Sequence, residues 1–247
     1  MSRAVGMAEA GALKRRRARG ASRSVRARRL VRRLALVVAV LLALPFLLIP
    51  LYRVVDPPVT NVMFVKALGG AGIDKTWVDI DRISPSLVRA VIASEDQRFC
   101  EHHGIDWVEV QNALDDEDGR FRGASTITMQ TVKNLFLWTG RSWFRKALEA
   151  PLALHAELFL SKRRIIEIYL NIVEWDVGVY GAEAAAGLYF RVPAAKLSAT
   201  QAARLAAVLP SPASRDAAAP GPGTARIARR IAARAASLGD AASCVLN

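Results

Sequence analysis

The 247-residue chain is long enough for one folded domain plus an appendage, and its two cysteines, Cys100 and Cys244, are too few for a disulfide framework. A formal net charge of +13 invites a nucleic-acid reading, but residues 1–33 hold twelve Lys/Arg against Glu9 alone, leaving 23 bases against 21 acids in 34–247. The basic run has no interleaved aromatic residue and abuts an apolar stretch, which argues against nucleic acid and for a topology signal drawn to anionic lipid.

That apolar stretch, 34–52, has nineteen residues and no charge. As a helix it would span ~28 Å, close to the hydrocarbon thickness of a bilayer. No Ala-x-Ala-like cleavage site follows; Tyr52-Arg-Val-Val-Asp-Pro-Pro58 does. The pattern therefore predicts a retained, single-pass anchor, and Pro45 and Pro50 are tolerable in a membrane span. The basic side, 1–33, should stay cytoplasmic and place the remainder across the membrane. Residues 53–83 read as a connector, with Pro57-Pro58 as a stiff exit and Gly69-Gly70-Ala71-Gly72 as a break. Strand-like stretches are expected at Val62–Val65 and Trp77–Ile80.

From residue 84 onward the chain reads as one mainly α domain, 84–247, with its core at 84–210. Ser84-Pro85 is a helix start, followed by the apolar stripe Leu87, Val88, Val91, Ile92. Asp106 is placed to cap a short helix through Ala113, and Asp115–Gly119 reads as a solvated loop. Gly123 precedes a helix reaching about Trp138, and Ser142 opens a long one that Pro151 should interrupt. Ser161 caps a helix ending near Asn171, and Ser198-Ala-Thr-Gln201 is a capping box before a helix stopped by Pro210. The Ala/Arg-rich segment 224–238 reads as a surface helix packed by Ile227 and Ile231, with a membrane-surface helix as the alternative.

Glu95 falls on the apolar side of its helix, at i+4 from Val91, so it must be paired or line a cleft. Glu149 is four residues after Arg145, which alone is compatible with a surface ion pair. Between them, Gly123–Asn134 is too rich in Ser, Thr and Gln for an ordinary amphipathic helix and suits a polar cleft wall. Lys133, Arg141, Arg145 and Lys146 bring four cations into fourteen residues, either a solvated face or an anion site.

Taken together these segments are specific. Glu95-Asp-Gln-Arg-Phe-Cys-Glu-His-His-Gly104 resembles the E-D-x-x-F-x-x-H-x-G motif of the peptidoglycan glycosyltransferases. Gly123-Ala-Ser-Thr-Ile-Thr-Met-Gln130 with Lys133-Asn134 resembles G-x-S-T-I-T-Q-Q-x-x-K-N, and Arg145-Lys-Ala-Leu-Glu149 matches R-K-x-x-E. Lys162–Asn171 is similar to K-x-x-I-L-E-x-Y-L-N, and Gly178–Phe190 continues the pattern. With no Ser-x-x-Lys transpeptidase nucleophile, the chain looks like a monofunctional member of that family.

The resemblance implies a lysozyme-like, two-lobed helical fold and polymerisation of lipid II into β-1,4-linked glycan with inversion, releasing polyprenyl diphosphate. It implies Glu95 and Glu149 as catalytic residues, with Glu95 the base. It further implies Asp96, His102, Ser125, Thr126, Gln130, Lys133, Asn134, Arg141, Arg145 and Lys146 as substrate-binding residues. Lipid II, the growing lipid-linked glycan and the membrane would be its partners, beside other cell-division or wall-synthesis proteins, and the inner membrane its location. No organic cofactor is expected; a divalent cation, Mg2+ or Mn2+, is left open, as is whether Glu149 is an acid, a metal ligand or an orienter of cations. Two departures stand out: Met129 replaces the first Gln of the Q-Q pair, and Pro151 lies just beyond Glu149. A lysozyme-like glycan-cleaving enzyme and a catalytically silent division scaffold are the competing readings.

Overall fold

The computed structural model describes residues 28–115, 125–140 and 142–246. The first helix, α1 (Arg28–Leu51), has the length and apolarity to cross a membrane. It begins six residues before the expected anchor, taking in Arg28, Arg29, Arg32 and Arg33. Its side chains from Leu34 to Leu44 are exposed, as lipid-facing residues would be. Through Leu47 the chain forms one unit; Leu48–Asn247 forms a second, compact one.

In the compact unit the expected connector is an integral part of the core, and its two expected strands are not formed. Residues 62–65 lie in a helix, α2 (Asn61–Leu68), capped by Thr60, which buries Val62 and Met63. Trp77–Asp79 are irregular and lead into a 3-10 turn, Ile80–Arg82, while the strand lies just before them, β1 (Asp74–Lys75). Burial of the apolar side chains overrides their β-branched character here. The remaining helices are α3 (Pro85–Glu95), α4 (Trp107–Asp115), α5 (Ile127–Phe136), α6 (Trp143–Phe159) and α7 (Lys162–Ile172). After the hairpin β2 (Glu174–Asp176) and β3 (Val179–Tyr180) come α8 (Ala182–Phe190), α9 (Ala199–Val208), α10 (Pro222–Ala236) and α11 (Ser243–Leu246). A three-stranded sheet in the order β1-β3-β2, parallel then antiparallel, was not anticipated after residue 84.

The caps are those that the sequence advertises: Ser84 for α3, Ser142 for α6, Ser161 for α7, and the reciprocal Ser198–Gln201 box for α9. Pro151 does not interrupt α6, which runs through it to Phe159. One missing N–H is tolerable where Leu152, Ala153 and Ala156 are buried and packing holds the helix. The core lies where α5 packs on α6 and α7, and where α3, α9 and α10 pack on one another. As expected, α10 buries its Ile side (Ile231, with Ile227 partly covered) and exposes its arginines.

Two features hold the loop after α3 in place. Gly104 adopts φ +89°, and a Cβ there would stand 2.9 Å from the Ala153 carbonyl oxygen of α6, so only glycine fits. Cys100 is bonded to Cys244 of α11, closing a loop 144 residues apart in sequence. Asn171 is fully buried: its Nδ2 donates to the carbonyls of Val78 and Glu167, and its Oδ1 accepts from Val78 N–H.

Candidate active site

Glu95 is the last residue of α3, where the apolar stripe that buries Leu87, Val88, Val91 and Ile92 delivers it to the rim of a cavity of about 340 Å3. Asp96, Arg98, Ser125, Thr126 and Arg234 also line it. Burial raises the Glu95 pKa above the usual carboxylate value; a hydrogen bond from Gln130 and the charge of Lys133 oppose that shift, and Asp96 adds to it. Gln130 Nε2 donates to Glu95 Oε2 at 3.0 Å, and Tyr169 O–H donates to Gln130 Oε1 at 3.2 Å. Burial first, then the charges of Glu95 and Asp96, push the Tyr169 pKa far up, so it keeps the proton it donates. The amide of Gln130 is thereby fixed in one orientation, and the carboxylate with it.

Asp96 faces inward. Its oxygens accept from His102 Nε2 at 2.9 and 3.1 Å and from the Ile127 amide at 2.9 Å, which ties the end of α3 to the first turn of α5. Thr126 is equally engaged: its Oγ1 accepts from Met129 N–H and donates to the Gly104 carbonyl at 2.6 Å. Asn134 is buried on α5. Of the expected substrate-binding residues, Asp96, His102, Thr126 and Asn134 therefore build the wall, whereas Ser125, Gln130, Lys133, Arg145 and Lys146 carry the polar atoms that the geometry groups together. Arg141 lies outside the described residues, as does Gly123, which opens the Gly123–Asn134 segment.

The cations form one cluster across α5 and α6. Burial lowers the Lys133 pKa, the charge of Arg145 lowers it further, and Glu95 opposes this. Lys146 is pushed down to about 8 by burial and then by Arg145 and Lys133. Like charges crowded in this way oppose one another's protonation, which makes the cluster a candidate for binding an anion. Glu149, buried on α6, forms an ion pair with Arg145 Nη1 and lies 3.5 Å from Lys146 Nζ. It is enclosed by positive charge, which does not suit a cation ligand. Lys146 Nζ also donates to Ser125 Oγ at 3.3 Å and contacts Met129 Sδ at 3.8 Å.

The other metal-type grouping is Asp96, His102 and Asp106, whose ligand atoms lie within 4.8 Å of one another. It does not fit a resident ion either. Asp96 is committed to His102 and Ile127, Asp106 Oδ1 accepts from the amides of Val108 and Glu109, and Arg98 stands 3.8 Å from Asp106 Oδ2. A cation shared by Asp96 and His102 would have to part the hydrogen bond between them.

The family model for transglycosylases matches residues 62–236. The chain belongs to the transglycosylase family. The transglycosylase is 54% identical over 213 residues to the biosynthetic peptidoglycan transglycosylase of Rhodopseudomonas palustris (strain TIE-1), covering 85% of this chain and 90% of that protein. It is 49% identical over 225 residues to the same-named protein of Agrobacterium fabrum, covering 89% and 99%, and 51% identical over 212 residues to that of Brucella suis, covering 85% and 95%. Its helical domain is of the lysozyme-like type, and the match begins inside the segment first read as connector.

Residue-type reasoning missed two participants. Tyr169 sits in a motif already noted, and the signal that could have found it is its i+4 spacing from the buried Ile165, because a buried tyrosine needs a partner for its hydroxyl. Arg215, whose charge lowers the Glu95 pKa, lies in a loop with no periodic signal, and only the fold brings it near.

Proposed function

We propose that the chain polymerises lipid II by single displacement, with Glu95 as general base and the Lys133–Arg145–Lys146 cluster stabilising the departing diphosphate. The supporting observation is the juxtaposition itself: a carboxylate with a raised pKa, fixed by Gln130, beside the clustered cations Lys133, Arg145 and Lys146. The acceptor's 4-hydroxyl needs a base because its own pKa is high, and a partly desolvated carboxylate is a stronger one. Glu95 takes the proton as the sugar oxygen bonds to the anomeric carbon of the lipid-linked donor. The bond to the diphosphate breaks on the opposite face, giving a β-1,4 linkage with inversion. The diphosphate leaves with the bonding electrons, and its developing charge meets cations already in place. Glu149, paired to Arg145 and close to Lys146, acts as their orienter in this scheme. These side chains neutralise the leaving group's charge in this scheme.

The same reading places the domain outside the inner membrane, with the N-terminus cytoplasmic. The basic run before α1 supports that orientation, and the Cys100–Cys244 bond suits an oxidising compartment. A reporter fused after Asn247 should be active only when exported; cytoplasmic activity would reject the orientation. Purified protein given lipid II should yield glycan polymer and free polyprenyl diphosphate. Sugar fragments released from purified cell wall, with no product from lipid II, would instead favour the lysozyme-like glycan-cleaving alternative.

A further inference from the structure

Glu95 borders a second cavity of about 200 Å3, where the end of α3 meets α9 and α10. Ser94, Ile227, Arg230, Ile231 and Arg234 line it, and Arg234 also reaches the larger cavity at Glu95. The buried Ile231 and the partly buried Ile227 hold this helix face in place, so the two arginines, one helical turn apart, are presented from a rigid support. Both are exposed, and neither makes an ion pair among the described residues. Their charges outnumber that of Glu95, the one carboxylate in the cavity wall.

The chemistry decides which substrate comes here. In a single displacement the attacking oxygen and the leaving oxygen stand on opposite faces of the anomeric carbon. Lys133, Arg145 and Lys146 border neither cavity, whereas Glu95 borders both. If the cations take the leaving diphosphate and Glu95 takes the proton of the attacking hydroxyl, the cavity side of Glu95 belongs to the acceptor. Lipid II as acceptor is itself anionic, through its diphosphate and the carboxylates of its peptide. We propose that Arg230 and Arg234 are acceptor-selecting residues, which bind an anionic group of the incoming lipid II and so position its hydroxyl at Glu95. The assignment rests on the glycosyltransferase reading above and adds to it the side from which the acceptor enters. Guanidinium groups suit it because their planar forks bind phosphate and carboxylate in two-point fashion.

The test is steady-state polymerisation of lipid II by the full chain in detergent, comparing the parent with Arg230→Ala/Arg234→Ala. Removing binding that is equal in ground and transition states should raise the KM for lipid II by about tenfold and change kcat by less than about threefold. The ionic-strength dependence of KM should also weaken in the variant, a response that lost packing would not give. Arg226→Ala/Arg229→Ala, on the same helix, should leave KM within about twofold. Arg230→Gln/Arg234→Gln keeps a polar, unbranched stem without the charge and should match the alanine variant, guarding against loss of fold. Lipid II with amidated peptide carboxylates separates the two sources of charge. If the variant's KM defect vanishes on that substrate the carboxylates are bound, and if it persists the diphosphate is; either result supports the assignment. A KM within about twofold of the parent on both substrates would overturn it, while the parent's own polymerisation tests the glycosyltransferase reading separately.

Discussion

The pKa of Lys146, lowered to about 8, makes the pH profile a direct probe of the cation cluster. The substitution is Lys146→Arg, which keeps the charge but removes the titration, because a guanidinium stays protonated throughout the accessible range. With a free-enzyme pKa of about 8, the lysine is about 90% charged at pH 7 and roughly 10% charged at pH 9. If that charge is needed to stabilise the leaving diphosphate, parental kcat/KM should fall through this window on its alkaline limb. The arginine variant should hold its value, so the ratio of variant to parent should rise by roughly tenfold between pH 7 and pH 9. Absolute rates of the variant will be lower, since a larger head must fit between Ser125 and Met129; the shape of the profile is the observable. Initial rates of lipid II consumption at subsaturating substrate measure it, because kcat/KM reports the free enzyme, before a bound diphosphate raises the lysine's pKa again. A ratio that stays flat within about twofold would remove Lys146 from the charge-stabilising cluster.

Other outcomes follow from the same geometry. Glu95→Gln should cut polymerisation by at least ~100-fold, the lower end for loss of a general base, while thermal melting stays near that of the parent. Gln130→Ala removes the bond that lowers the Glu95 pKa, so the acidic limb of kcat/KM should move to higher pH; Tyr169→Phe should move it the same way by less, and an unmoved limb in both would disconnect the relay. Lys133→Ala should cost about 2–4 kcal/mol in the barrier, roughly 30- to 1000-fold in rate, with little change in melting. Lys162→Ala should show the reverse pattern, losing about 2–4 kcal/mol of stability, because Lys162 pairs at 2.8 Å with Glu157, a half-buried residue whose side chain is only 6% exposed, and lies over the Phe99 ring.

Local signals placed what depends on local chemistry. Each Ser cap of α3, α6, α7 and α9 is one hydroxyl meeting one free amide within three residues, and such contacts are written in the sequence. The position of Glu95 on an apolar stripe was legible for the same reason. The strand expectation at Val62–Val65 failed because Thr60 caps a helix whose burial of Met63 outweighs β-propensity. Register between distant segments was not legible: nothing local says that Asp74 pairs with Val179, that Cys100 meets Cys244, or that Arg215 approaches Glu95. Motif membership also could not separate residues that touch substrate from those that build the wall. Asp96 and Thr126 lie in motifs as specific as that of Lys133, yet their polar atoms are spent on His102, Ile127, Met129 and Gly104.

The two departures from the family pattern converge on one place. Met129 is buried with its sulfur against Lys146 Nζ, where an amide would have offered a strong acceptor. A thioether is a weak one, so the ammonium keeps Ser125 Oγ and the more distant Glu149 carboxylate as its oxygen partners. Pro151, for its part, cannot donate to the carbonyl of Ala147, which lies within the turn that joins Arg145 to Glu149. The missing bond spans 147–151, so the turn it affects is the one that carries Glu149 onward and not the one from Arg145 to Glu149. Both changes leave Glu95, Gln130 and Tyr169 untouched, since those are held by α3, α5 and α7. In the proposed scheme the base side thus retains its bonding pattern, while the leaving-group side carries both departures. A lysine with a poor acceptor beside it and two cations for neighbours is the group whose charge depends most on the anion it receives. The donor brings its diphosphate into the bound ground state, so in the proposed scheme only the part of this stabilisation that grows as the leaving oxygen gains charge raises the rate.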